Sequence, residues 1–79
     1  MDIRHATGRF WTTPVVTDRR AGSTVLRLHR EGAGSRVVAA EVVFWDADGQ
    51  FFLETFNGDV PLAVIEALIT EAKDKIRVG

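Results

Sequence analysis

Hydrophobic and polar positions follow two rhythms along this chain. From Leu62 onward apolar residues recur every three or four positions, whereas from Thr24 to Phe56 they tend to recur every second one. The first rhythm is that of an amphipathic helix and the second that of strands with a buried face. Leu62, Ile65, Leu68, Ile69, Ala72 and Ile76 form one helical stripe, with Glu66, Thr70, Glu71, Lys73, Asp74 and Lys75 on the other side. Asp59-Val60-Pro61 supplies a capping acid and a proline near the first turn, where its missing N–H costs nothing. Glu71 and Lys75 pair at i,i+4, and Lys73, Lys75 and Arg77 suit the negative end of the helix dipole. The pattern predicts a helix over about 60–77, with Gly79 ending the chain.

Upstream, Thr24–Arg30, Arg36–Trp45 and Gln50–Phe56 read as strands, and Arg9–Val16 as a weaker one. Pro14 inside that weaker run argues for a sheet edge, because proline cannot donate to the ladder. The connections Asp18–Gly22, Glu31–Ser35 and Asp46–Gly49 are short enough for hairpins. The predicted fold is α+β, a four-stranded antiparallel meander (about 9–56) with one C-terminal helix packed on one face, ββββα, in a single domain spanning 1–79.

Side-chain period tests the registers. A four-residue loop at Asp46–Gly49 sets Phe44 opposite Phe51 and Val42 opposite Leu53. A five-residue loop at Glu31–Ser35 sets Leu28 opposite Val38 and Leu26 opposite Ala40. Together these give one apolar face of Leu26, Leu28, Val38, Ala40, Val42, Phe44, Phe51 and Leu53 for the helix to cover. A one-residue slip would bring Glu54 onto that face.

The opposite face then holds Val25, Arg27, His29, Val37, Ala39, Glu41, Val43, Trp45, Phe52, Glu54 and Phe56, with Trp11 or Phe10 joining from the first strand. A solvated sheet face should alternate toward polar residues, and this one is rich in aromatics. No second helix is legible to cover it, so either another molecule covers it or the N-terminal segment Met1–Thr13 folds back over it in a monomer. The stretch Asp46-Ala47-Asp48-Gly49 between the aromatic runs has the residue types of a calcium loop. Its glycine falls fourth, however, and its twelfth residue is Asn57, where a calcium loop needs glycine sixth and an acid twelfth. It reads as a hairpin turn, and neither a metal nor another cofactor is expected.

Composition narrows the classes further. At 79 residues the chain is near the small end of independently folding domains, and it has no cysteine for a disulfide or thiolate site. His5 and His29 stand too far apart in sequence to suggest a structural metal. Self-association is the stabilising device left. No apolar run exceeds four residues (Val37-Val38-Ala39-Ala40 ends at Glu41), far short of the ~20 residues of a membrane span. No signal segment is legible, so a cytoplasmic, membrane-free protein is expected. Residues 1–36 carry seven arginines against three acids, a balance of +4, and residues 37–79 carry three bases against eight acids, a balance of −5.

Three functions compete. The leading one is a non-catalytic protein that self-associates as a homodimer or larger symmetric oligomer, or binds a partner, through Val43, Trp45, Phe52 and Phe56 with Arg27 beside them. The second is single-strand nucleic-acid binding, with the aromatics stacking bases and Arg19, Arg20, Arg30 and Arg36 reaching phosphates. Adjacent Glu41 and Glu54 in the middle of the face disfavour it. The third is an enzyme using Glu41 and Glu54 as a proton-sharing pair. No nucleophile elbow accompanies that pair, and Gly32-Ala33-Gly34 lacks the third glycine of a dinucleotide fingerprint, so no catalysis is expected.

Overall fold

In the computed structural model, which describes residues 1–6 and 8–76, the period-two region folds into one antiparallel sheet. Its strands are β1 (Asp2–His5), β2 (Gly8–Thr12), β3 (Val16–Asp18), β4 (Ser23–Gly32), β5 (Ser35–Trp45) and β6 (Gln50–Thr55). They are followed by one helix, α1 (Leu62–Lys75). The spatial order is β1-β2-β4-β5-β6, with β3 pairing β4 beside β2. The fold is α+β with a C-terminal helix, as the pattern predicts, but the sheet has six strands rather than four.

Both extra strands have physical reasons. The expected strand over Arg9–Val16 is broken at Thr13-Pro14-Val15, leaving β2 on the Leu28–Glu31 half of β4 and β3 on the Ser23–Val25 half. Proline cannot supply the ladder donor, so the strand ends before it and resumes after it. Strand β1 turns back onto β2 with Ala6 at φ 53° and pairs Ile3 with Phe10. Its sequence, Asp-Ile-Arg-His, carries almost no apolar alternation, so its pairing has no sequence signal.

The β5–β6 hairpin has the expected register: Trp45 faces Gln50, Phe44 faces Phe51, Val42 faces Leu53 and Glu41 faces Glu54. The β4–β5 hairpin does not. Its turn is the two residues Ala33 and Gly34, both at positive φ (49° and 78°), with Gly32 paired to Ser35. That is the primed geometry which matches the twist of tight hairpins. A bulge between Leu28 and His29 then leaves Ala39 without a partner, so that Leu28 faces Ala40 and Leu26 faces Val42. The two departures together preserve parity. Leu26, Leu28, Ala40, Val42 and Phe44 stay on the helix side and are buried. Beyond the bulge parity changes: Ala39 enters the core, Val37 joins the helix side opposite Arg30, and Val38 moves to the outer side opposite His29.

Helix α1 begins at Leu62, with Pro61 at its N-cap and no side-chain cap. Asp59 does not cap it; its backbone oxygen accepts a hydrogen bond from Arg30. The buried stripe is Val64, Ile65, Leu68, Ala72 and Ile76, rotated from the expected one. Val64 is inside, while Leu62 is 74% exposed and Ile69 lies at the rim. Pro61 accepts from the backbone N–H of Val64 and Ile65, which sets the first turn. The expected roles of Arg77 and Gly79 at the helix end lie outside the described residues. Leu26, Leu28, Val64 and Leu68 are fully buried, and each such side chain contributes about 1.5–3 kcal/mol. Phe10 joins this core, so Trp11 is the residue that β2 presents outward. No described helix is long and apolar enough to cross a membrane.

Candidate binding face

The outer side of the sheet is organised in cross-strand rows. Val16, Val25, Val43 and Phe52 stand side by side across β3, β4, β5 and β6. Next along the strands, Trp45 lies between Ser23 and Gln50. Val16 is 59% exposed, Phe52 48% and Trp45 39%, so this end of the face is an open apolar strip.

The adjacent row is polar. Arg27 faces Glu41 and Glu41 faces Glu54, bringing the two carboxylates beside each other as the register predicts. The Arg27 Nε donates to a Glu41 carboxylate oxygen, relieving the repulsion. Phe56, Val38 and Asn57 line a shallow depression with this ion pair. Asn57, at φ 57°, donates from Nδ2 to the Val38 oxygen at 3.0 Å and fixes the end of the face.

At the far end, Trp11 stacks on His29 with ring centroids 5.5 Å apart and planes 18° from parallel. The His29 Nε2 lies 3.1 Å from the Thr13 hydroxyl. The Arg9 guanidinium sits 4.7 Å from the Trp11 ring centre and that of Arg36 at 6.0 Å. Both arginines are engaged by acids: Arg9 with Asp2 and Arg36 with Glu31, each at 2.6 Å. The hydrogen bond from Arg9 holds the Asp2 carboxyl below its ordinary range, and the one from Arg36 does the same for Glu31.

Val43, Trp45, Phe52, Phe56 and Arg27 thus share one face. The four arginines considered for nucleic acid do not share a surface. Arg19 and Arg20 lie in the exposed turn after β3, and Arg36 is held by Glu31. Arg30 is on the helix side over the Phe10 ring, donating to the backbone oxygens of Asn57 and Asp59. The Asp46–Gly49 stretch is a four-residue turn with Gly49 at φ 65°. Among the described residues no three histidine or acidic side chains converge in a way that would hold a metal ion.

Two features escape the sequence pattern. One is the Trp11–His29 stack, which depends on the unpredictable register of β2. The other lies on the helix side at β6. There Val42, Phe51, Leu53, Ile69, Ala72 and Lys73 border an apolar cavity of about 340 Å³, and Leu53, expected under the helix, is 44% exposed. Phe51 is anchored against Phe44, ring centroids 5.1 Å apart, so the opening starts at Leu53. Comparison of the chain with protein-family models, curated proteins and solved structures finds no match.

Proposed function

We propose that this is a non-catalytic protein that self-associates through the outer, apolar-aromatic side of its sheet, around Val43, Trp45, Phe52 and Phe56 with Arg27 beside them. The observation that carries this reading is the open strip of Val16, Val25, Val43, Phe52 and Trp45, whose largest side chains remain a third or more exposed. Contiguous exposed apolar surface of this kind marks interaction sites. In a chain of 79 residues without cysteine, association is also the available route to added stability. A second copy is the simplest partner, because a two-fold arrangement buries the same strip twice.

The electrostatics favour a protein surface over a phosphate backbone. Arg9, Arg27 and Arg36 already have acidic partners, and Glu41 and Glu54 occupy the middle of the face. The same Arg27–Glu41 contact ties up one member of the carboxylate pair that an acid–base reading would need free. Light scattering on the parent chain and on Phe52→Glu tests the reading. The parent should have the mass of two or more chains and Phe52→Glu that of one. An unchanged mass in Phe52→Glu would remove this face as the interface.

A further inference from the structure

The end of the sheet at β6 lacks most of the devices that protect an edge, Glu54 being its one charged residue. Edge strands are normally blunted by charge, proline, bulges or shortness, because their free N–H and C=O groups invite another strand. Strand β6 has six residues, no lysine or proline, and an uninterrupted register with β5. Its run Phe51-Phe52-Leu53 is apolar on both faces of the sheet, with Phe52 and Leu53 each more than two-fifths exposed. Among the described residues no strand pairs with its outer side.

The free hydrogen-bonding groups can be assigned. The Phe56 N–H donates to the Ala39 oxygen directly opposite. Directly opposed residues of an antiparallel pair alternate between bonded and non-bonded. Gln50, Phe52 and Glu54 therefore direct their backbone groups toward β5, and Phe51, Leu53 and Thr55 direct theirs outward.

We infer that β6 is the seam of a homodimer, pairing antiparallel with β6 of a second copy about a two-fold axis at Phe52. This rests on the reading that the partner is another copy of the chain, and it adds a second contact, at the β6 edge, to the one proposed for the outer face. Matching pleats require the axis to pass through a residue, so that opposed side chains share a face. Centred on Phe52, the pairing sets Phe52 against itself on the outer side and Phe51 against Leu53 on the helix side, twice. Phe51 and Leu53 of each copy then exchange both backbone hydrogen bonds with Leu53 and Phe51 of the other. Gln50 faces Glu54, and the two Glu54 carboxylates stand four positions apart. That is about 14 Å, at ~3.3 Å per residue along the strand and ~4.8 Å across it, beyond the ~8 Å screening length at physiological salt.

Neighbouring registers are worse. Centring on Leu53 puts Phe52 against Glu54 and halves the distance along the strand between the like charges. Centring on Glu54 opposes the two carboxylates directly, and centring on Phe51 puts Leu53 against Gly49. Charge and apolar matching thus select one register. The seam also closes the opening at Leu53 and Ile69 against the same feature of the other copy. It joins the two outer faces into one continuous surface, leaving Trp45 of each copy available for further docking.

Amide hydrogen exchange on the parent chain, read residue by residue across protein concentration, tests the seam. The Phe51 and Leu53 amides should become protected as the dimer forms, while that of Phe52 is protected throughout. Leu53→Pro removes an outward donor together with the side chain that meets Phe51 of the other copy, so a folded chain with association weakened at least ~30-fold, the share of the two lost donors per dimer, is expected. Trp45→Glu, away from the seam, should keep the dimeric mass. An oligomer whose Phe51 and Leu53 amides exchange freely, or one lost in Trp45→Glu and kept in Leu53→Pro, would overturn the seam and leave the outer-face reading standing. A chain that is monomeric at every concentration would overturn both. If Leu53→Pro fails to fold, the exchange pattern of the parent decides alone.

Discussion

Strand β1 closes one side of the sheet with Asp2, Arg4 and His5 exposed and only Ile3 turned partly inward. Strand β6 closes the other with Phe51, Phe52 and Leu53 in succession. The hairpin carrying β1 is also pinned to the rest of the molecule. Arg9 grips Asp2 within the hairpin, and the Glu71 carboxylate on α1 ties the hairpin to the helix, accepting from the N-terminal ammonium at 2.9 Å and from the Thr12 hydroxyl. Among the described residues no ion pair reaches β6. One edge is mostly charged, the composition that discourages strand addition, and the other is mostly apolar, the composition that permits it. The difference supports the proposed β6 seam in a way that exposure alone does not, since Leu62 on the helix is more exposed than Phe52 or Leu53.

The contrast breaks most visibly if the guarded edge is stripped. Asp2→Val combined with Arg4→Val gives β1 an apolar, uncharged edge. A dimer joined at β6 still carries two β1 edges, so the variant should grow into open-ended assemblies, seen as a mass that rises with concentration in light scattering. A closed dimer unchanged by the double substitution would mean that charge on β1 does not guard it.

A smaller effect is expected at the pin. Burial alone would raise the Glu71 carboxyl, but hydrogen bonds from Lys75, the N-terminal ammonium and Thr12 outweigh it and hold the group below its ordinary range. A carboxyl lowered in the folded state stabilises fully above its unfolded pKa of ~4.3 and loses that contribution as pH falls through the lower folded value. Glu71→Gln should therefore cost about 1–2 kcal/mol at neutral pH, with parent and variant converging in acid. Urea unfolding at pH 7 and below pH ~4 checks this, and a difference that persists undiminished in acid would contradict it.

How much of this could be read from the sequence follows from how local each signal is. The β5–β6 register was legible because a four-residue turn and alternating side chains on both strands agree. The helix was legible from its period, but its rotation was not. Val64 and Leu62 are equally apolar, and packing on the sheet chose between them. The Ala33-Gly34 turn gave no warning, since alanine has no preference for positive φ. The bulge at Ala39 is equally silent, yet it decides that Val38 rather than Ala39 faces outward. Leu26, Leu28, Ala40, Val42 and Phe44 kept their side because the turn and bulge errors cancel in parity. Strand β1 is polar at three of its four positions, so a hydrophobic pattern does not reveal it. On β6 the apolar residues were visible, but their exposure was not. The chain shows which residues are sticky, and the topology shows which remain uncovered.

The pairing of two β6 strands about Phe52 is tested most directly by dipolar distance measurement on spin labels. The chain has no cysteine of its own, so Gln50→Cys and Glu54→Cys each carry a single label. Both positions lie two residues from the axis. The seam predicts equal separations in the two variants, corresponding to about 14 Å between backbones. Clearly unequal separations, or no dipolar coupling between copies at concentrations where the chain is associated, would contradict it.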